Sequence, residues 1–303
     1  MSNTVFPGSL DTFTNPTATS SRNSPSLSAQ QGVQNDAIAA IEAKVGVDSS
    51  AVTTSLSYKL SAITGSDKAS SLAASLSGWY SVSDAWVYAS ADSPTFVITV
   101  PTDATTTYTP GMRVRLTQTT VKYFLVTAVT ATTLTVYGGT DYTLANAAIS
   151  AISVSGSTAP FGFPLDPAKW SVTLTDTSNR NQASPGAGTW YNPGSLSITI
   201  PIGIWLVQKG GSVGIVQSGG AQGTASFTLS TTNSTESDST FTTTGYVSVL
   251  SAESFVPHFI MKPLTLATKT QYFLNIRASA AITTVELRGD QQATVVRATS
   301  SYL

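Results

Sequence analysis

Cysteine is absent from this 303-residue chain, histidine occurs once, and Asp, Glu, Lys and Arg together make up only 10% of it. Without thiols there is no disulfide framework, no iron–sulfur ligation and no cysteine nucleophile, and one imidazole cannot anchor a structural zinc site. The 15 basic and 16 acidic residues nearly cancel, for a formal charge of −1. No Lys/Arg cluster is available to neutralise phosphates, which argues against nucleic acid and against docking on an anionic membrane. Apolar runs are short as well: the best candidate, Ile202 to Val207, has the length of a strand, so no membrane insertion is expected. The N-terminus, Met-Ser-Asn-Thr-Val-Phe-Pro-Gly, has no basic segment followed by an apolar core. It reads as lacking a secretory signal, which implies synthesis in the cytoplasm.

What replaces charge is hydroxyl. Ser and Thr supply about 90 residues, while hydrophobic residues stay at an ordinary 41%. The surface this predicts is polar and nearly uncharged, around cores of normal size.

The chain changes character along its length, and the expected class is mainly β with a helical start. Residues 1–28 carry Pro7, Pro16 and Pro25 at nine-residue intervals among Ser, Thr and Asn. Each proline restricts its own φ and the residue before it, which favours an extended arm. Phe6, Leu10 and Phe13 are its apolar handholds, costly to leave in water and therefore suited to docking on a partner. Residues 29–78 hold the helical periodicity. A helix beginning at Ala29 or Asn35 and running through Val45, closed by Gly46, places Ile38, Ile41 and Val45 at three-then-four spacing. Extended backwards, that register adds Gln34 and Gln31. Such a narrow seam, with β-branched residues at both seam positions, suits a trimeric coiled coil, although a short helix packed on its own chain fits two heptads nearly as well. A second helix, capped by Ser49 or Ser50, is expected to present Val52, Leu56, Leu60 and Ile63 on one face, and a third short stretch covers Lys68 to Leu76.

From Trp79 the period is two. Six short strands across residues 79–160, with no helix between them, predict a small β-barrel or sandwich module. Pro160-Phe-Gly-Phe-Pro164 reads as a linker. Residues 165–303 contain nine or ten strands bounded by Gly, Pro and Ser/Thr-rich turns, which fits a two-sheet jelly-roll sandwich. The glycine pairs Gly210-Gly211 and Gly219-Gly220 read as turns, because neither is followed by a phosphate-binding Lys-Ser/Thr.

Chemistry-bearing constellations are few. His258 lies in an apolar run with no second metal ligand, and a packed role outweighs a catalytic one. Glycan cleavage needs two carboxylates set across a sugar, yet Glu236 with Asp238, Glu253, and Glu286 with Asp290 read as solvated or, beside Arg288, as neutralised groups. Asp176 to Asn181 offers loop oxygens without the acidic spacing of a calcium loop. No catalytic, cofactor or metal residues are therefore assigned, and the chain is expected to be no enzyme. Trp190-Tyr191-Asn192 is the one place where aromatics meet turn residues, and it is the candidate glycan contact.

Three blocks at the N-terminus carry a resemblance: Phe6-Pro-Gly-Ser-Leu-Asp-Thr-Phe-Thr-Asn-Pro16, Gln34 to Gly46, and Ser49 to Leu60. In order and content they resemble the N-terminal segment of tailed-bacteriophage fibre and minor virion proteins. Tyr108-Thr-Pro-Gly-Met-Arg-Val-Arg-Leu and Thr133-Leu-Thr-Val-Tyr-Gly-Gly are similar to a small β module of the same proteins. In strand count and layout the terminal region resembles trimeric heads of the tumour-necrosis-factor and complement type. The resemblance implies a homotrimeric head or tail fibre located in the virion. Phe6, Pro7, Leu10, Phe13 and Pro16 would fasten it to capsid, portal-proximal or tail proteins. Gln31, Gln34, Ile38, Ile41, Val45, Val52 and Leu56 would form its trimer seam, and its outer domain would adhere to a host-surface glycan or protein. A decoration protein with no ligand is the alternative, and a polysaccharide depolymerase a remote one.

Overall fold

The computed structural model describes residues 9, 27–48, 50–62, 76–217, 221–249 and 252–303. The expected attachment residues Phe6, Pro7, Leu10, Phe13 and Pro16 lie outside the described residues, as do Ser49, Ile63, most of the third helical stretch and Gly219-Gly220. The chain divides into two compact units, Met1–Leu76 and Ser77–Leu303.

In the first unit α1 spans Leu27–Val45, beginning earlier than its apolar periodicity suggests. Lys44 sits in its last turn, where a cation complements the helix dipole. Gly46 closes it at φ +80°, its N–H bonding to the Glu42 carbonyl at 2.7 Å. This left-handed cap requires glycine, as anticipated. The second helix, α2 at Leu56–Ala62, is shorter than expected. Its N-cap is Ser55, whose Oγ accepts from the Tyr58 N–H at 3.2 Å; Ser50 lies before the helix, where its Oγ accepts from the Val52 N–H at 3.2 Å, and Val52 falls before the helix as well.

The second unit is antiparallel β throughout, as its alternating sequence predicts. Its first part is one seven-stranded sheet of order β1-β7-β4-β5-β6-β3-β2. The strands are β1 Tyr80–Ser81, β2 Val87–Asp92, β3 Thr95–Thr99, β4 Arg113–Thr117, β5 Val121–Val129, β6 Thr133–Tyr137 and β7 Ser150–Ser155. Ile98, Val114, Leu116, Phe124, Val126, Leu134 and Val136 point to one face, where Trp86, Tyr108 and Leu144 cover them.

The remaining strands are β8 Ser171–Asp176, β9 Arg180–Ala183, β10 Trp190–Tyr191, β11 Ser197–Ile200, β12 Gly203–Val216, β13 Ala221–Ser230, β14 Thr243–Val249, β15 Glu253–Leu266, β16 Thr270–Ala278, β17 Thr284–Leu287 and β18 Thr294–Ser300. One sheet runs β8-β18-β12-β17-β9, with β15 along the other edge of β12; the facing sheet runs β10-β16-β13-β14, with β11 also on β16. Three strands of the sandwich are broken in two: β8/β9, β10/β11 and β17/β18. Counted as one strand each, they leave eight strands in the order 1-8-3-6 facing 2-7-4-5, which is a jelly roll. The sandwich expected for residues 165–303 is therefore present. Gly210-Gly211 is not a turn, however. β12 passes through both glycines unbroken, paired to Phe259 and His258 of β15, because long partner strands on both edges hold them extended.

The segment read as a linker is packed. Phe163 is buried and stacks on Trp170 with ring centroids 4.9 Å apart and planes 7° apart, while the Trp79 indole N–H donates to the Phe161 carbonyl at 2.8 Å. Leu125 and Tyr137, on the outer face of the seven-stranded sheet, join Trp170 and Trp205 in the jelly-roll core. Tyr137 meets Trp205 edge-on at 5.2 Å. Arg113, itself buried, donates to the carbonyls of Gly111 and Tyr302 and ties β4 to the chain end. The physical reason lies in strand alternation: β5 presents Phe124 and Val126 to one core and Leu125 to the other, so a sheet apolar on both faces must be covered twice.

Gly139 marks where the two parts touch. Its φ is +64°, and a Cβ there would lie 2.3 Å from the Lys169 carbonyl oxygen, against which the next residue, Thr140, donates at 2.8 Å. Gly139→Ala is expected to cost about 2 kcal/mol or more, from left-handed strain and a displaced carbonyl. Chemical denaturation would measure it, and an unchanged midpoint would contradict this account.

Candidate functional site

The seam residues stand exposed in the single chain. Gln31 and Gln34 face solvent, Ile41 is 61% exposed, and Ile38, Val45, Val52 and Leu56 are likewise exposed; so are Val33 and Leu60 outside the seam. Of the α1 residues whose side chains are described, Glu42 is the one that is buried. A helix draws most of its stability from packing an apolar stripe, and here the stripe is uncovered. A small hollow of about 120 Å³ lies at the α1 C-terminus, lined by Ala43, Gly46, Val47, Ser50 and Val52.

The Trp190 turn, the candidate glycan contact, is engaged internally, and its indole offers no open stacking face in the single chain. Trp190 is 8% exposed, with the Arg277 guanidinium over its ring at 4.4 Å. The Tyr191 hydroxyl accepts from the Gly186 N–H at 2.9 Å. Asn192 closes the turn: its Oδ1 accepts from the Leu196 N–H at 2.9 Å and its Nδ2 donates to the Leu196 carbonyl at 3.2 Å. β10 pairs with β16, and it is this pairing that draws the indole inward.

The carboxylates are occupied as well. Arg288 binds Glu253, Glu286 and Asp290 together, at 2.8, 3.3 and 2.7 Å. Glu286 is buried, and desolvation lifts its carboxyl above the ordinary range against the opposing pull of Arg288. Asp176 accepts two bonds from Arg180, at 2.9 and 3.0 Å, which hold its carboxyl low. Asp238 caps the short turn Ser239–Phe241 and pairs with Lys262. Among the described residues, no group of three or more His, Asp or Glu side chains is arranged to hold a metal ion.

The unforeseen cluster lies inside the jelly roll. Lys209 of β12 is fully buried with no carboxylate partner among the described residues. Its Nζ donates to the Phe227 carbonyl at 2.6 Å and to Thr243 Oγ1 at 3.1 Å, and sits 4.0 Å from the Phe227 ring centre. Thr243 Oγ1 in turn lies 2.9 Å from His258 Nδ1. Thr243 Oγ1 also donates to the Phe227 carbonyl at 3.3 Å, so this one hydroxyl links Lys209, Phe227 and His258, whose second ring nitrogen is Nε2. That Nε2 and Thr294 Oγ1 are buried without partners among the described residues, on β15 and β18 either side of Gly211. Burial pushes the Lys209 ammonium down to about 7; burial and then the Lys209 charge push His258 down to about 4. Reading Gly210-Gly211 as a turn hid this cluster, because Lys209 then falls at a strand end. The signal available was inward parity: Trp205, Val207, Lys209, Gly211 and Val213 alternate on one face.

No family model matches the chain, and no curated protein matches it. Solved structures similar to it include dimeric latent PorU from Porphyromonas gingivalis, 13% identical with a TM-score of 0.24, covering 74% of this chain and 24% of that one. The Gt strain of infectious bursal disease virus is 12% identical with a TM-score of 0.25, covering 73% of each chain. The Gx strain is 14% identical with a TM-score of 0.23, covering 74% of this chain and 63% of that one. This chain thus spans about a quarter of PorU.

Proposed function

We propose that the protein is a non-enzymatic homotrimeric virion fibre of a tailed bacteriophage. Its N-terminal arm, with Phe6, Pro7, Leu10, Phe13 and Pro16, fastens to other virion proteins, and its β domains project outward for host-surface adhesion. The observation that carries this reading is the uncovered row Ile38, Ile41 and Val45 on α1, continued by Leu56 and Leu60 on α2. A 19-residue helix with so little of its own chain packed on it is stabilised by other copies of itself. The projecting part suits the role: Ser77–Leu303 is one compact unit, with rigidity supplied by aromatic packing instead of disulfides. Internal engagement of Trp190, Tyr191 and Asn192 favours a second reading, a decoration protein with no ligand at that turn.

Light scattering on the intact chain is expected to give a trimer, and Ile41→Glu should reduce it to monomers while leaving the β unit's melting unchanged. A wild-type monomer would remove the trimeric fibre. Labelled antibody on intact virions is expected to mark a projecting structure; labelling confined to the host cytoplasm would overturn the assignment.

A further inference from the structure

A cleft of about 450 Å³ opens on the seven-stranded sheet between residues 81–85, where the chain leaves β1, and residues 149–153, where it enters β7, with Arg115 of β4 reaching into its lining. Its origin is local. The Val82 N–H still bonds to the Ile152 carbonyl at 2.9 Å, but the chain then turns away through Ser83 to Ala85 to bury Trp86. On the other wall β7 carries a bulge: Arg115 and Thr117 of β4 face Ser153 and Ser150, so one extra residue is taken up between them. Ala151 in that bulge has φ +47°, a left-handed conformation unusual for a residue with a Cβ. Bulges and left-handed non-glycine residues gather at binding sites, where they re-aim neighbouring groups.

The chemistry of the lining is specific. Asp84 and Arg115 both border the cleft, yet they do not pair with each other among the described ion pairs, and Ser81, Ser83, Ser150 and Ser153 surround them. Arg115 is held in place: its guanidinium lies over the Trp79 ring at 5.0 Å and its Nη2 donates to Ser153 Oγ at 3.2 Å. The two contacts restrain the guanidinium at the cleft wall, and a planar guanidinium recognises a carboxylate through two parallel bonds. Asp84 accepts weakly from Thr102 at 3.4 Å and has acceptor capacity left for ligand hydroxyls. Val82, Ile149 and Ile152 border the cleft but turn their side chains to the core beneath, so the lining offered to a ligand is mainly polar.

We propose that this cleft binds a carboxylated sugar unit, its carboxylate on Arg115 and its hydroxyls on Asp84 and the serines. The inference deepens the adhesive part of the proposed function, since the source of such a unit would be an acidic surface polysaccharide.

The test uses the intact chain and free sodium glucuronate, followed by saturation-transfer NMR and by titration. Glucuronate is expected to bind and glucose to bind at least about tenfold more weakly, because the neutral sugar leaves the Arg115 fork unfilled. Arg115→Ala should weaken glucuronate about tenfold or more and erase the preference over glucose. Asp84→Asn, a substitution outside the core, should weaken both sugars with the melting temperature unchanged. Equal binding of glucose and glucuronate, no binding, or an unaltered Asp84→Asn response would overturn the site. Displacement of glucuronate by free alanine would overturn it too, pointing to a peptide terminus instead. A trimer that ignores glucuronate removes this site and spares the fibre; a monomer that binds glucuronate does the reverse.

Discussion

Between pH 7 and pH 9.5 the wild-type protein is expected to gain stability that Lys209→Met does not gain. Lys209 titrates at about 7 in the fold, against about 10.5 in the unfolded chain. The unfolded state therefore holds the extra proton through that window, and the unfolding free energy rises with pH. Below pH 7 the ammonium is charged in both states and the burial penalty is fully present; above about 10.5 it has vanished. The gain to pH 9.5 is about 3 kcal/mol, at roughly 1.4 kcal/mol for each pH unit. At pH 7 and below, methionine of similar length should stabilise the protein, since replacing a buried charge by a packed apolar group commonly does. His258 works in the same direction at lower pH. Its folded value near 4 lies below the ordinary 6.5, so stability falls as pH drops from about 6.5 to 4, and His258→Gln should flatten that limb. Urea midpoints across pH 4 to 9.5 decide the matter. Parallel profiles for wild type and Lys209→Met would show that the ammonium is not titrating in the core.

Trp170→Ala is expected to cost about 3 to 5 kcal/mol and to uncouple the two β parts. Trp170 is fully buried, stacked on Phe163, edge-on to Tyr137 at 6.2 Å, and donates its indole N–H to the Pro164 carbonyl at 2.6 Å. Removing the ring opens a cavity between the seven-stranded sheet and the jelly roll and leaves a carbonyl without its donor. Calorimetry should then split one cooperative transition into two, and protease should begin to cut between residues 160 and 167. A single transition of wild-type shape would mean that the parts are joined by something other than this aromatic stack. The same packing implies that residues 165–303 expressed alone would expose Trp170 and the Tyr137-facing side of Trp205.

The period-two patterning made the strands legible, and the spacing of Gly, Pro and Ser/Thr clusters made most of their ends legible. Gly46 as a helix cap and the Ile38/Ile41/Val45 row were readable for the same reason: each depends on residues a few positions apart. Ser55 was not legible as the cap in place of Ser49 or Ser50, since all three are equally good caps by residue type and the packing beside Gly46 selects among them. Trp190 shows the limit on the candidate site. An aromatic next to Asn-Pro-Gly looks like an exposed turn, but a two-residue pairing with β16 turns the ring beneath Arg277. Asp84 and Arg115 are 31 positions apart and share a cleft because of a bulge that no local pattern announces.

By itself, then, the sequence determined the class of the molecule: β cores without disulfides, a neutral hydroxyl-rich surface, and a helical start with a narrow apolar row. These follow from composition and short-range periodicity, which need no partner strand to be read. Tertiary structure alone decided that the apparent linker is a packed joint, that β12 runs through its glycines, and that Lys209 is enclosed beside His258. Each depends on which strands become neighbours. Pairing across tens of residues buries a side chain or opens a cleft according to what lies opposite, and that information is distributed over the whole chain.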